Sequence, residues 1–113
     1  MNKWIGVGRL TRDPEVRVNQ DQKSICRASM AINMGRDQVE YINITAFDKR
    51  AELIEKHFRK GDRIGIIGRI HNGSYTNKDG QKVNTSEIYV DEIEFLQDKR
   101  EEVPGIDDNP FLT

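Results

Sequence analysis

Hydrophobic and polar residues alternate along most of the chain with the two-residue period of β-strands. The alternation, interrupted by turn-forming residues, predicts extended segments at residues 3–10, 24–34, 39–47, 63–70, 82–90 and 92–96. Residues 15–18 are predicted to continue the strand ladder after the turn at Asp13-Pro14. Asp79-Gly80 tolerates the positive φ angles of a tight reversal and predicts a hairpin between the last two long strands.

The same alternation predicts which side chains enter the core. The inward residues of the second, third and fourth strands are expected to be Cys26, Ala28, Met30, Ile32 and Met34, then Ile42, Ile44 and Ala46, then Ile64, Ile66 and Ile70. The third strand would then present Tyr41, Asn43, Thr45 and Phe47 on its outward face. Two aromatic rings six residues apart are therefore predicted to stand on the outside of the sheet.

One segment, residues 49–60, has helical spacing instead. Its apolar residues recur at intervals of three and four, at Ala51, Ile54 and Phe58. Asp48 is the expected N-cap, and Gly61 follows the end where a left-handed residue is favoured. The predicted fold is therefore all-β: a five-stranded, partly open Greek-key barrel of the OB type with one helix between strands 3 and 4. This fold binds oligonucleotides or oligosaccharides through its second and third strands and the loops at its rim.

Length and composition limit the function. The 113 residues suffice for one domain, 33% are charged, and the mean hydropathy is −0.75. The net charge of −1 divides into +6 for residues 1–86 and −7 for residues 87–113. Residues 1–97 are expected to form the domain and residues 98–113 a flexible acidic tail. Without an apolar segment of membrane-spanning length or a signal-like N-terminus, the expected location is the cytoplasm.

The sequence contains no pattern typical of an enzyme or a metal site. Neither G-x-S-x-G nor a phosphate-binding G-x-x-x-x-G-K-[ST] loop occurs, and the chain has one cysteine and two histidines. We therefore expect a non-enzyme without a cofactor or metal. Cys26 alternates in phase with core residues and is predicted to be a buried, inert thiol. Trp4 is expected in the core or an interface, and His57 on the surface.

Several segments resemble the bacterial single-stranded DNA-binding proteins. They lie in matching order at residues 2–10 (NKWIGVGRL), 13–17 (DPEVR), 41–47, 49–69 ending in KGDRIGIIGR, and 74–80 (SYTNKDG). The resemblance covers nearly all of the predicted domain. It implies an OB barrel that assembles as a homotetramer and coats exposed strands during DNA replication, recombination or repair, with bases stacked on Tyr41, Phe47 and Tyr75.

The resemblance also bears on the C-terminal segment. Family members end in an acidic tip with Pro-Phe that recruits replication and repair proteins. The matching residues are Asp107, Asp108, Pro110 and Phe111. Here Leu112 and Thr113 follow the tip, and the usual linker before it is almost missing.

Basic residues spread around the aromatic strand are candidates for phosphate contacts, because neutralised phosphates release counterions and bind without regard to sequence. These candidates are Arg9, Arg17, Arg36, Lys49, Lys60, Arg69, Lys78 and Lys82. His71 near Tyr75 is a further possible contact. Two alternatives stay open: a primosome-type OB protein that acts through protein contacts, and an OB assembly module whose aromatic residues serve subunit contacts. Dimer or tetramer, and DNA or RNA, are not decided by the residues.

Overall fold

A computed structural model of the protein describes residues 1–96, in which six strands and one helix follow one another along the chain. The elements are β1 (Trp4–Leu10), β2 (Glu15–Val18), β3 (Ser24–Gly35), β4 (Gln38–Phe47), α1 (Lys49–His57), β5 (Arg63–Thr76) and β6 (Lys82–Phe95). The expected acidic tail, residues 98–113, lies outside the described residues. No helix of the described part of the chain has the length and apolar character needed to cross a membrane.

The strands close into a barrel. Their order is β1-β5-β6-β4-β3-β2, and a further pairing of β1 with β3 joins the two sides of the sheet. β4 and β6 are parallel, whereas the other pairs are antiparallel. β2 and then β1 pair with β3, so β2 extends the ladder as the sequence predicted. The predicted OB-type barrel with one helix after the third long strand is confirmed.

The core lies inside this ring and under the helix. α1 contributes Ala51 and Ile54, and Phe58 follows directly after it. The strands contribute Leu10, Cys26, Ala28, Met30, Ile44, Ala46, Ile64, Ile66, Ile88 and Val90. Cys26 is buried as predicted, and the half-buried Trp4 packs against this core. Its indole covers Gly6, where a side chain would collide with the ring.

Two predicted core residues are exposed instead. Met34 and Ile70 are 58% and 45% exposed. Both lie beyond the mouth of the barrel, Met34 in the β3–β4 hairpin and Ile70 where β5 has passed its last β1 partner. Alternation predicts the direction of a side chain, but there is no opposite wall at these positions to cover it.

The helix is shorter than predicted and begins differently. It ends at His57, because Phe58 already has extended backbone angles. Gly61 has the expected left-handed conformation, with a φ of 89°, but it belongs to the connection to β5. Asp48 occupies the N-cap position without a capping hydrogen bond from its side chain, at φ 57° and ψ −123°. These angles are those of the first central residue of a type II′ turn, where glycine is strongly favoured.

β5 and β6 form one long hairpin that extends beyond the barrel. Beyond Ile70 and Ile88 the two strands pair only with each other, as far as Thr76 and Lys82. The expected separate piece at residues 92–96 is the continuation of β6. A register shift leaves Asp91 without a partner residue on β5, and this bulge interrupts the alternation from which the strand was predicted.

Candidate nucleic-acid interface

The outer face of β4 carries the two aromatic residues that the alternation predicted. Tyr41 is 67% exposed, whereas Phe47 is half-buried. The intervening outward residues are Asn43, which is exposed, and Thr45, which is buried. Thr45 is covered because Tyr89 lies beside it on β6. The Thr45 hydroxyl donates a hydrogen bond to the Glu87 carboxylate. Thr45 thus lies on the outward face as predicted, but β6 covers it.

A cluster of rings continues this face across β6 and β5. Phe47 meets Tyr89 edge to face, with ring centroids 5.2 Å apart and planes at 85°. On its other side Tyr89 stacks with His71, at 4.3 Å between centroids and 14° between planes. The guanidinium carbon of Arg69 lies 5.6 Å from the centre of the Tyr89 ring. We define Phe47, Tyr89, His71 and Arg69 as the ring cluster.

Tyr89 was not among the residues predicted for the site. The available signal was its position between Ile88 and Val90, which are both buried and therefore direct Tyr89 outward. Its proximity to Phe47 depends on the parallel pairing of β4 with β6, in which Thr45 and Tyr89 are partners. This pairing joins strands that are distant in sequence, so the local pattern does not reveal it.

Tyr75 lies on the part of the β5–β6 hairpin that extends beyond the barrel. It is 56% exposed and directly opposite Val83. Lys78 and Lys82, at and beside the hairpin turn, are exposed as well. The third predicted stacking residue is therefore separate from the ring cluster and accompanied by two cations.

Carboxylates reduce the positive charge near the rings. Asp91, at the bulge of β6, forms an ion pair with Arg69, and its backbone carbonyl accepts a hydrogen bond from Arg50 Nε at 2.6 Å. Glu87 lies opposite His71. Of the predicted phosphate-binding residues, Arg69 lies beside the rings, but its ion pair with Asp91 reduces the positive charge that it presents to a phosphate.

The other predicted cations lie at different places on the barrel. Lys49 is exposed at the start of α1, two residues after Phe47. Arg17 on β2 forms an ion pair with Glu15 at 3.1 Å. Lys60 is exposed in the connection after α1, where its backbone N–H donates to the Asp13 carboxylate. Lys49 therefore lies near the ring cluster, whereas Arg17 and Lys60 lie elsewhere on the barrel.

Arg9 and Arg36 line a cleft between β1 and the β3–β4 hairpin. The cleft has a volume of about 780 Å³, and Arg63 and Asp37 also line it. One guanidinium nitrogen of Arg9 donates to the Gly61 carbonyl at 2.8 Å. Ala31 is the pairing partner of both Arg9 and Tyr41, so the cleft adjoins the outer face at Tyr41.

Together these features define an OB-type barrel whose outer face carries exposed aromatic rings bordered by cations. This arrangement is the one by which such barrels bind oligonucleotides. Residues 1–96 match the model of the single-strand binding protein family. The chain belongs to this family.

Named relatives agree with this assignment. Single-stranded DNA-binding protein 1 of Staphylococcus aureus strain MSSA476 is 39% identical over 105 residues, which cover 88% of this chain and 67% of the relative. Single-stranded DNA-binding protein 2 of S. aureus strain COL is 33% identical over 105 residues, covering 88% and 76%. The single-stranded DNA-binding protein of Halalkalibacterium halodurans is 31% identical over 111 residues, covering 93% and 66%.

Proposed function

We propose that this protein binds single-stranded DNA without sequence preference, through bases stacked on Tyr41, Phe47 and Tyr75. The observation that carries the proposal is the exposure of Tyr41 and Tyr75 on a barrel of the single-strand binding family. A large aromatic side chain normally gains free energy by burial, so two rings that stay more than half exposed are available to a ligand.

Stacking explains why the ligand would be a single strand. An unpaired strand exposes the faces of its bases, and each base stacked on an aromatic side chain contributes about 1–3 kcal/mol regardless of its identity. In a duplex those faces are covered by neighbouring base pairs. α1, the one helix among residues 1–96, packs over the core, which disfavours the alternative of a helix inserted into a groove. The family assignment likewise indicates binding and not catalysis.

The basic residues would hold the sugar-phosphate backbone between the stacked bases. Each phosphate contact on a single strand lowers the logarithm of the binding constant by about 0.7 per tenfold increase in salt. Arg69, Lys49, Lys78 and Lys82 lie nearest the aromatic positions, while Arg9 and Arg36 would meet a strand that continues past Tyr41 into the cleft. Arg17 and Lys60 would contact a strand that passes farther around the barrel.

A titration of labelled oligonucleotides tests the proposal. Fluorescence anisotropy should show tight binding to oligo-dT, much weaker binding to a duplex of the same length, and an affinity that falls steeply with salt. Absence of oligo-dT binding at low salt would refute the proposal. Oligo-rU of equal length belongs in the same series, because stacking alone does not distinguish the two sugars.

We also propose self-association, with the homotetramer as the expected state. Ile5 and Val7 on the outer face of β1 are 68% and 46% exposed, although β1 belongs to a strongly apolar part of the sheet. Apolar exposure of this kind is typical of a surface that another subunit covers. Sedimentation equilibrium of the wild type and of Ile5→Lys should give a larger mass for the wild type; equal masses would contradict the proposal.

The acidic C-terminal segment is proposed to contact proteins of DNA replication and repair, in the cytoplasm, through Asp107, Asp108, Pro110 and Phe111. This proposal rests on the sequence, since these residues lie outside the described part. A synthetic peptide of residues 104–113 should compete with the whole protein for such a partner, whereas a peptide with Phe111→Ala should compete less. Equal competition by both peptides would refute a role for Phe111.

A further inference from the structure

The outward face of β5 has a gap between two rings. His71, Gly73 and Tyr75 alternate along this face, and the middle position has no side chain. His71 is held in place by its stack on Tyr89. Residues two apart on a strand are separated by about 6.7 Å, so the backbone positions of His71 and Tyr75 are about 13 Å apart. Stacked bases are about 3.4 Å apart, and the interval is therefore wide enough for a nucleobase.

Polar atoms border this gap. A β-carbon at Gly73 would lie 3.3 Å from Thr85 Oγ1 and 3.9 Å from His71 Nε2. Among the described residues no other atom beyond the immediate chain neighbours lies within 4 Å of that point. Thr85 is the pairing partner of Gly73 on β6 and is exposed. The Thr85 hydroxyl thus lies over Gly73 at slightly less than an ordinary van der Waals distance from that point, and the imidazole nitrogen of His71 is the other group beside it.

The charge and chemistry of the gap suit a base rather than a phosphate. Glu87, on β6 opposite His71, places a carboxylate at this end of the hairpin, and a carboxylate repels phosphate. Aromatic rings and a hydroxyl instead favour an uncharged, flat ligand with hydrogen-bonding edges.

We propose that one nucleobase of the bound strand lies above Gly73 between His71 and Tyr75, stacked on Tyr75, with Thr85 Oγ1 and His71 Nε2 hydrogen-bonded to its edge. The proposal rests on the proposed function and deepens it. Stacking on Tyr41 and Phe47 does not distinguish bases, whereas hydrogen bonds to a base edge do. Homopolymers should therefore bind with modestly different affinities, a base preference added to binding that requires no particular sequence, and Thr85 should be one source of the difference.

A side chain introduced at Gly73 tests whether a base occupies the space above it. Gly73 does not have a positive φ, so the backbone accepts Gly73→Leu, although the Thr85 hydroxyl must shift by a few tenths of an ångström. Asn72→Leu places the same side chain on the opposite face of the same strand. Loss of one stacked base corresponds to about 5- to 150-fold weaker binding of oligo-dT for Gly73→Leu. Asn72→Leu should change binding by less than about twofold. Equal affinities of the two folded variants would overturn the proposal.

The isosteric change Thr85→Val tests the hydrogen bonds and does not depend on added bulk. The wild type and Thr85→Val are each titrated with oligo-dT, oligo-dC and oligo-dA. The spread of the three dissociation constants should narrow in Thr85→Val, and an unchanged spread would refute edge recognition. If the wild type binds none of the three oligonucleotides, the proposed function is wrong. If the wild type binds them and both variants bind in the same way, only the proposed base site above Gly73 is wrong.

Discussion

Replacing Tyr41 by alanine isolates base stacking from every other contribution of the outer face. Tyr41 stands on β4 with 67% of its surface exposed, and its neighbour across the strand pair is the small Ala31. Phe47 would be a less clean choice, since its ring packs edge to face on Tyr89. A change at Tyr41 therefore removes a surface for bases and leaves the ring cluster intact.

The structure sets the expected size of the effects of Tyr41→Ala on stability and on binding. A tyrosine side chain presents roughly 200 Å², of which about a third is covered here, so Tyr41→Ala removes about 70 Å² of burial. At about 25 cal/mol per Å² the unfolding free energy falls by less than about 2 kcal/mol. Loss of one stacked base should cost about 1–3 kcal/mol of binding, equivalent to about 5- to 150-fold weaker affinity.

Anisotropy titrations of labelled oligo-dT at several salt concentrations measure the effect. Tyr41→Ala should lower the affinity while leaving the slope of log K against log salt unchanged, because stacking releases no counterions. Tyr41→Phe should bind like the wild type, and Leu53→Ala, at an exposed apolar residue of α1 that does not line the cleft, is the matched truncation. An affinity loss for Tyr41→Ala no larger than for Leu53→Ala would refute the stacking role, and a changed slope would mean that phosphate contacts had moved.

Three further predictions concern stability and charge. Asp48→Gly should raise the unfolding free energy by about 1 kcal/mol by relieving the positive φ, whereas Asp48→Ala should not; thermal unfolding measures both. Burial, with a smaller effect of the Glu55 carboxylate, raises the pKa of Cys26 to about 11. The native thiol should therefore react with a disulfide reagent at pH 8 about a hundredfold more slowly than the unfolded chain, and stability should fall above about pH 9, where only the unfolded thiol ionises. Truncation after Leu96 changes the net charge from −1 to +2 and should strengthen oligo-dT binding, most at low salt; unchanged affinity would contradict it.

The barrel was predictable because each strand carries a local signal. Alternation placed Cys26, Ala28 and Met30 inward and Tyr41 outward, and helical spacing located Ala51 and Ile54. The wrong predictions are at positions where residues distant in sequence determine burial or the end of an element. Met34 and Ile70 follow the period but have no opposite wall, and the helix stops at His57 although its apolar spacing continues to Phe58.

The candidate site was predictable only in part for the same reason. Tyr41 and Tyr75 could be proposed from their own strands, since both remain exposed. Tyr89 belongs to the ring cluster through a parallel pairing of residues more than 40 positions apart in sequence. The bulge that directs Asp91 to Arg69 likewise exists only once β5 and β6 are aligned. Contacts of this kind depend on tertiary structure, which neither strand specifies alone.

The pairing of charges on this surface implies that stacking contributes much of the affinity. Of the eight predicted phosphate-binding residues, Arg17 and Arg69 form ion pairs within residues 1–96, and Glu87 adds a carboxylate beside the rings. If the other six each contacted a phosphate, the salt slope would reach about −4. Three bases stacked on the proposed residues would contribute about 3–9 kcal/mol that salt does not screen. Binding should therefore weaken with salt but persist at concentrations that would release a protein held by phosphate contacts alone.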